Sequence, residues 1–145
     1  MDILELHTLT DSQVSDLLGL MRELNPEIAV TREMLERTAG AEGTRLFVAQ
    51  ESGRIIGCAS LCIFVSPTGR KASVEDVVVT SAYRGKGIGR ALMVEIIGYA
   101  RRELAPADLN LTSMPQRVAA NALYQALGFE RRGTNVYRLK VSITD

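Results

Sequence analysis

The sequence predicts an α/β domain in which antiparallel hairpins precede a strand–loop–helix–strand unit, and residues 1–145 fit a single domain of this kind. Of the residues, 46% are apolar, which is enough for one hydrophobic core and too many for low-complexity disorder. Strand-like segments in the first half are separated by turn sequences at 51–53 and 66–70. A glycine-rich loop at 85–89 then joins a buried strand to an amphipathic helix.

The first half begins with a strand and two capped helices. Thr10 and Gln13 form a capping box ahead of the first helix, and Thr31 can cap the second. The predicted bounds are 3–9 for the strand, 11–24 and 32–38 for the helices, and 45–50, 54–65 and 72–79 for three further strands. The last strand ends on three consecutive valines, a pattern typical of a central strand covered on both faces.

The second half is predicted to alternate between helices and strands. The bounds are 88–104 for a helix, 108–113 for a strand, 116–127 for a helix and 137–143 for a final strand. Gly128 is a natural C′ residue for the second of these helices. The final strand alternates strictly, which predicts that one face is buried. Its apolar face carries Tyr137, Leu139, Val141 and Ile143, and its polar face Arg138, Lys140, Ser142 and Thr144.

Charge and hydropathy exclude several partners. Lys and Arg total 17, and Asp and Glu also total 17, which argues against a nucleic-acid partner because such proteins usually have a strongly basic face. No segment approaches the roughly 20 apolar residues of a membrane span, so we expect no membrane partner. The first eleven residues lack the basic start and apolar run of a secretion signal. We therefore expect a cytoplasmic protein.

The cysteines and the histidine offer little chemistry. Cys58 and Cys62 lie on one predicted strand, where four residues separate Cα atoms by about 13 Å. A disulfide needs less than about 7 Å, so we expect two free thiols, as in a reducing compartment. His7 is the only histidine. This set supports neither a zinc site nor a Ser–His or Cys–His nucleophile, and we expect no metal.

The glycine-rich loop predicts an anion site. Gly85, Gly87 and Gly89 allow positive φ and a close approach to a ligand, and the helix that follows presents unpaired amides and the positive end of its dipole. Arg84, Lys86 and Arg90 add charge, so the loop can hold a phosphate or pyrophosphate. The spacing fits neither a P-loop nor a Rossmann G-x-G-x-x-G pattern.

Two segments carry a resemblance to a known family. Arg84-Gly85-Lys86-Gly87-Ile88-Gly89 fits Q/R-x-x-G-x-G/A, and in this setting it resembles the acyl-CoA signature of the GNAT superfamily of N-acetyltransferases. Residues 121–129, NALYQALGF, are similar to the family's second motif. The resemblance covers about residues 45–140. It implies a mixed, mostly antiparallel twisted sheet flanked by helices, with a splayed central strand pair.

The resemblance also implies how acetyl-CoA would be held. The backbone amides of residues 84–89 would bind the pyrophosphate, and the pantetheine arm would pair with the exposed backbone of Val77 and Val79. An amide of Val78 or a neighbour would act as oxyanion donor to the thioester carbonyl. Asn121 would hydrogen-bond the coenzyme arm.

Two side chains are candidates for the chemistry. Tyr124 can donate a proton or hydrogen bond to the leaving thiolate, and it lies one turn from Asn121 on its helix. Glu75 can accept the proton that a protonated amine must lose before it attacks. Strand alternation predicts that Glu75 shares a face with Val77, whereas Asp76 points the opposite way.

The predicted function is N-acetyl transfer from acetyl-CoA directly to a primary amine, on a small molecule or on a protein. A non-catalytic acyl-CoA-binding or sensor protein is the alternative, and an aminoacyl-tRNA acceptor also stays open. The retention of both Asn121 and Tyr124 favours the enzyme. The sequence does not identify the acceptor amine. We further expect a homodimer, because the final strand offers an edge for pairing.

Overall fold

In the computed structural model, which describes residues 1–143, the first 112 residues form a five-stranded sheet with three helices. The strands are β1 (Asp2–Leu6), β2 (Thr44–Glu51), β3 (Arg54–Ser66), β4 (Gly69–Val79) and β5 (Asp108–Asn110). The helices are α1 (Asp11–Leu24), α2 (Arg32–Gly40) and α3 (Ile88–Tyr99). The residues from Ser113 onwards form a second compact unit with one helix, α4 (Val118–Ala126).

Local signals set the ends of the first two helices as predicted. The Thr10 hydroxyl accepts from the Gln13 N–H at 3.2 Å, and the Gln13 side chain accepts from the Thr10 N–H at 2.9 Å, which completes the capping box of α1. Thr31 caps α2 by accepting from the Met34 N–H at 3.3 Å. These reciprocal bonds satisfy donors that a helix leaves open at its N-terminus.

The sheet runs in the order β1-β2-β3-β4-β5. The first three pairings are antiparallel, and only β4 and β5 are parallel. This arrangement confirms the predicted mixed, mostly antiparallel sheet. β4 is flanked by β3 on one side and by the three residues of β5 on the other.

Helices cover both faces of the sheet within the first unit. α1 and α2 contribute Leu17 and Leu35 to a buried cluster with Val48, Cys58 and Val78 of the sheet. α3 lies on the opposite face, where the Tyr99 ring meets the Phe47 ring edge-on at 5.6 Å. Burying one leucine of this kind contributes about 1.5–3 kcal/mol, so these contacts stabilise the sheet between its helices.

A bulge interrupts β4 between Glu75 and Val78. Opposite β4, Cys58 pairs with Val78 and Ser60 with Glu75, so two steps along β3 span three steps along β4. Asp76 takes a φ of 53°, the left-handed conformation that a bulge residue requires and that Asp tolerates better than most residues. The pairing of β4 with β5 ends at Ser73 and Asn110, which leaves the rest of that β4 edge without a β5 partner. The predicted splay and bulge are both present.

Several predicted boundaries differ from the observed ones: β4 begins at Gly69 rather than residue 72, α2 ends at Gly40 rather than residue 38, and α4 spans Val118–Ala126 rather than 116–127. β1 ends at Leu6 rather than residue 9, and β5 ends at Asn110 rather than residue 113. The α-helix predicted over 88–104 ends at Tyr99 and continues as a single π-helical turn, Ala100–Leu104. Each difference lies at an element end, where fraying and neighbouring strands decide the outcome more than propensity does.

In the second unit, α4 ends as predicted at Gly128. Gly128 has a φ of 102°, its N–H donates to the Gln125 carbonyl at 3.1 Å, and the Phe129 N–H donates to the Tyr124 carbonyl at 3.0 Å. These two bonds make a Schellman motif, and the Tyr124 and Phe129 rings add its usual apolar contact at 6.1 Å.

The predicted final strand is wrong for the residues that the structure describes. Residues 137–142 form no regular element, and Tyr137, Leu139 and Val141 are each at least 85% exposed. Alternation supplies the side chains of a half-buried strand, but a strand also needs a neighbour for its backbone hydrogen bonds. Thr144, assigned to the polar face of that strand, lies outside the described residues.

Candidate active site

The glycine-rich loop connects β4 to α3 through a short 3₁₀ turn, Ser81–Tyr83. Gly85 and Gly87 have φ values of 76° and 79°, so both need the left-handed conformation that glycine adopts without strain. Gly87 is the N-cap of α3. A Cβ added at Gly85, Gly87 or Gly89 would meet no atom within 4 Å, so the loop surface is bare. Such a surface above the first amides of α3 fits a pyrophosphate.

The two cationic side chains Arg84 and Lys86 of the loop make different kinds of contact. Arg84 donates through Nε to the Val79 carbonyl at 3.0 Å and lies 3.7 Å from the Glu23 carboxylate. Lys86 places its ammonium 5.0 Å from the centre of the Tyr83 ring. Both are positive groups beside the α3 N-terminus, and they complement an anion there.

The edge of β4 has a defined orientation. The Thr80 N–H donates to the Ile56 carbonyl at 2.9 Å, and the Val78 carbonyl lies 3.2 Å from the position of a Cβ on Gly57. Thr80 and Val78 therefore turn their backbone groups towards β3. Because alternate residues point to opposite sides, the backbone groups of Val77 and Val79 face the edge that β5 leaves open. An oxyanion donor on this edge would be a neighbour of Val78 rather than Val78 itself.

Glu75 lies on the sheet face covered by α1 and α2. It pairs with Ser60 across the strands, and Ser60 shares its face with Cys58 and hence with Val78. The predicted alignment of Glu75 with Val77 is therefore wrong, because the bulge at Asp76 shifts the alternation by one residue. The Glu75 carboxylate accepts from the Ser73 hydroxyl at 2.6 Å.

The carboxyl group of Asp76, next to Glu75 in the sequence, has a perturbed pKa. The pKa of Asp76 is raised, first by partial burial and then by the adjacent Glu75 charge. Two carboxyl groups on one short bulge repel each other when both are ionised, which favours a proton on one of them. Asp76 therefore keeps its proton to a higher pH than an ordinary aspartic acid does.

The cysteines are free, as predicted, and do not act as nucleophiles. Cys58 is buried, and that burial, with a smaller effect of Asp76, raises the pKa of its thiol to about 12. Burial and the charges of Glu75 and Asp76 also raise the pKa of Cys62. Because the thiolate is the reactive form, neither thiol is activated at neutral pH.

Asn121 and Tyr124 belong to the second unit. The Asn121 side-chain amide donates to the Met114 carbonyl at 3.0 Å and so holds the loop that precedes α4. Tyr124 is 7% exposed, and its ring meets Phe129. Both residues therefore have structural contacts within their own unit, and their assigned roles towards the coenzyme stay predictions.

The sequence analysis missed Glu23. The Thr80 hydroxyl donates to its carboxylate at 2.7 Å and the Ser81 N–H donates at 3.0 Å. These bonds join residues 57 and 58 positions apart. The available signal was an acid in the last turn of α1, where the helix dipole disfavours negative charge.

The open edge and the loop together suit an extended thioester that carries a pyrophosphate at one end. An exposed strand edge can pair with the amides of a pantetheine arm, as it does with an added peptide strand. The bare glycine loop at the start of α3 can hold the phosphates. Fold and site are thus suited to a protein of the class that binds an acyl-CoA.

Comparison with known proteins identifies the family. Residues 12–129 match the sequence profile of the Acetyltransferase (GNAT) family, and the chain belongs to it. Glucosamine 6-phosphate N-acetyltransferase of Trypanosoma brucei brucei is 41% identical over 139 residues, which cover 87% of this chain and 88% of that protein.

Two solved structures share the fold. An acetyltransferase from Trypanosoma brucei superposes with a TM-score of 0.69 at 29% identity, covering 97% of this chain and 100% of that one. Aminoglycoside N-acetyltransferase AAC(6')-Iy, solved with CoA, superposes with a TM-score of 0.78 at 20% identity, covering 96% and 93%. The predicted GNAT fold and enzyme class are confirmed, and the protein is an acetyl-CoA-dependent N-acetyltransferase. Within residues 1–143, no helix is both long and apolar enough to cross a membrane.

Proposed function

We propose that this enzyme acetylates the primary amine of a small aminosugar phosphate. The observation that carries the proposal is the 41% identity with glucosamine 6-phosphate N-acetyltransferase of Trypanosoma brucei brucei. That similarity covers 87% of the chain, more than residues 45–140 alone could supply. It therefore extends into the N-terminal helices, where we expect part of the acceptor pocket.

We propose that the donor is held by the groups named in the sequence analysis. The amides of residues 84–89 bind the pyrophosphate, and the backbones of Val77 and Val79 pair with the pantetheine arm. The bare glycine surface and the orientation of the β4 edge support this assignment. Asn121 hydrogen-bonds the arm in this proposal.

Transfer is direct in this proposal. The amine nitrogen bonds to the thioester carbonyl carbon, the carbon–sulfur bond breaks, and the thiolate takes the Tyr124 phenol proton, which solvent then replaces. The ammonium loses one proton to Glu75, directly or through water, before it attacks, and the nitrogen loses a second proton to solvent as the amide forms, which balances the proton that restores the Tyr124 phenol. The raised thiol pKa values support direct transfer, because they leave no activated cysteine for an acetyl-enzyme.

A panel of amines tests the function. Thiol release from acetyl-CoA is followed with glucosamine 6-phosphate, glucosamine, an aminoglycoside and a peptide amine as acceptors. We expect the highest kcat/KM with the aminosugar phosphate. A higher kcat/KM with the peptide would make the enzyme a protein acetyltransferase. Binding of acetyl-CoA without turnover on any amine would favour the non-catalytic sensor.

We also propose a cytoplasmic location. The two free cysteines support it, since thiols persist in reducing compartments. Fractionation of cells that express the tagged full chain tests this proposal, and recovery in a secreted or membrane fraction would contradict it.

A further inference from the structure

We infer that Glu23 is a positioning residue for acetyl-CoA binding: from the end of α1 it holds the start of the cofactor loop in its binding conformation. The inference rests on the proposed role of that loop in binding the coenzyme pyrophosphate. Glu23 itself is not placed in contact with the donor.

The contacts converge on one carboxylate. Its Oε2 accepts from the Thr80 hydroxyl at 2.7 Å, and its Oε1 accepts from the Ser81 N–H at 3.0 Å. Oε1 also lies 3.7 Å from a terminal nitrogen of the Arg84 guanidinium. One side chain of α1 thus binds the first, second and fifth residues of the segment 80–84.

The local sequence gives no helical reason for this acid. Glu23 lies in the last turn of α1, where the helix C-terminus repels negative charge. The Thr80 and Ser81 hydrogen bonds, with a further contribution from Arg84, nevertheless lower the pKa of the carboxyl. The interactions with the loop therefore outweigh the effect of burial, which alone would raise this pKa, and the carboxylate stays charged at neutral pH.

The held segment leads directly into the glycines. Ser81 begins the 3₁₀ turn, and Arg84 follows it immediately before Gly85. Gly85 and Gly87 have unusual freedom because they carry no side chain, so an unanchored loop would sample many conformations. Fixing its first residues before the ligand arrives removes part of the ordering cost of binding.

Arg84 links this anchor to the β4 edge. Its Nε donates to the Val79 carbonyl at 3.0 Å, on the edge proposed for the pantetheine arm. Glu23 thereby orders both parts of the proposed donor site: the loop through Ser81 and the strand edge through Arg84. Loss of the carboxylate should weaken acetyl-CoA binding without touching the acceptor amine.

The experiment is calorimetric titration of the full-length protein with acetyl-CoA, so it needs no acceptor. Glu23→Ala is expected to raise Kd by about 10-fold, the effect of losing one charge-assisted hydrogen bond. Glu23→Gln keeps one acceptor oxygen and should recover part of that loss. Glu27→Ala, an exposed acid in the loop after α1, is the charge-matched control and should bind as wild type does.

A double-mutant cycle with Thr80→Ala tests whether Glu23 affects acetyl-CoA binding through its contact with the loop. If Glu23 acts through the loop, the two changes together should raise Kd by less than the product of their separate effects. Thr80→Ala removes the hydroxyl and one methyl group and leaves Glu23 in place, so it keeps the test valid even if Glu23→Ala folds poorly.

The outcomes separate the two proposals. Wild-type protein that fails to bind acetyl-CoA would refute the donor site and this inference together. Wild-type binding with an unchanged Kd in Glu23→Ala, alongside a lower melting temperature, would leave the donor site intact and make Glu23 merely structural. A tighter Kd in that variant would also overturn the inference.

Discussion

At Gly87 the backbone has a φ of 79°, and the space where a side chain would start is open. Packing within the described fold therefore does not require glycine there, whereas conformation does. Gly89 differs in conformation, because its backbone is helical. A Cβ at Gly89 would meet open space, as it would at Gly87. The two positions provide a matched pair for testing the loop.

We predict that Gly87→Val abolishes acetyl-CoA binding while the protein still folds. A β-branched residue resists positive φ and would place its methyl groups over the bare loop. Titration with acetyl-CoA measures the loss, and circular dichroism checks the fold. Gly89→Ala is the control: the signature allows Ala there, so binding should persist while α3 gains up to about 1 kcal/mol of helix propensity. An unchanged Kd in Gly87→Val would eliminate the loop as the pyrophosphate site.

For Tyr124 we predict a large loss of turnover when it is changed to Phe. The coenzyme sulfur becomes negative only as its bond to carbon breaks, so a donor there stabilises the transition state more than the bound thioester. We expect kcat to fall by about 10- to 1,000-fold, with little change in the KM for acetyl-CoA.

The Tyr124→Phe variant also tests whether Tyr124 has only a structural role. Its free energy of unfolding should change by no more than about 1 kcal/mol, because the ring and its contact with Phe129 remain. Near-normal turnover together with a shifted melting temperature would show that Tyr124 serves the fold and not the reaction.

Between elements, Asp16 of α1 supports the β2–β3 turn. Its side chain is only 6% exposed, and it accepts from Arg54 at 2.8 Å and from the Ile55 N–H at 3.0 Å. Burial raises the pKa of Asp16, but the bonds from Arg54 and Ile55 outweigh that effect and leave it below its ordinary value. A carboxyl with a lowered folded pKa stabilises the fold above its unfolded pKa of about 4, and that stability is lost as pH falls through the folded value.

We predict that Asp16→Asn lowers the free energy of unfolding at pH 7 by about 1–3 kcal/mol, the cost of leaving a buried partner unsatisfied. The difference between wild type and variant should narrow as the pH falls from 7 to below about 4, through the lowered folded pKa of Asp16, because the wild-type carboxyl then also loses its charge. Urea unfolding at both pH values measures this. Asp11→Asn is the control within the same helix, since its exposed pair with Arg32 should contribute little. A difference in the free energy of unfolding between wild type and Asp16→Asn that widens on acidification would contradict this explanation.

At the scale of the whole molecule, the segment 137–143 has an alternating sequence but forms no helix or strand. Tyr137, Leu139 and Val141 are 85–86% exposed. Each would contribute substantial apolar burial if the segment found a neighbouring strand. A second copy of the chain could supply one, because exposed apolar side chains in an alternating pattern favour association.

We predict that the protein is a dimer at tens of micromolar and that this segment contributes to its interface. Light scattering should give twice the monomer mass of 15.8 kDa. Leu139→Lys, on the apolar face, should shift the mass towards the monomer, whereas Lys140→Ala, on the polar face, should not. A monomeric wild-type mass would refute the prediction.

Features encoded within a few residues could be predicted from the sequence. The capping box of Thr10 and Gln13 sets the start of α1, and Gly128 sets the end of α4. The glycine spacing at 85–89 identified the loop and, through its resemblance, the enzyme family that the comparison confirmed. In each case the physical cause is local: a side chain bonds to a backbone two to four residues away, or a glycine takes a φ that others avoid.

Features that need two distant segments were decided only by the tertiary structure. The bulge at Asp76 depends on register against β3, and it moved Glu75 to the face opposite the one that simple alternation predicts. The hydrogen bond from the Thr80 hydroxyl to the Glu23 carboxylate joins residues 57 positions apart. The segment 137–143 has the side-chain pattern of a strand but forms no strand in the described chain. Strand pairing and long-range hydrogen bonds depend on which segment lies next to a given residue in the fold. A periodic pattern indicates which side chains a segment can bury, but it does not identify the segment that packs against them.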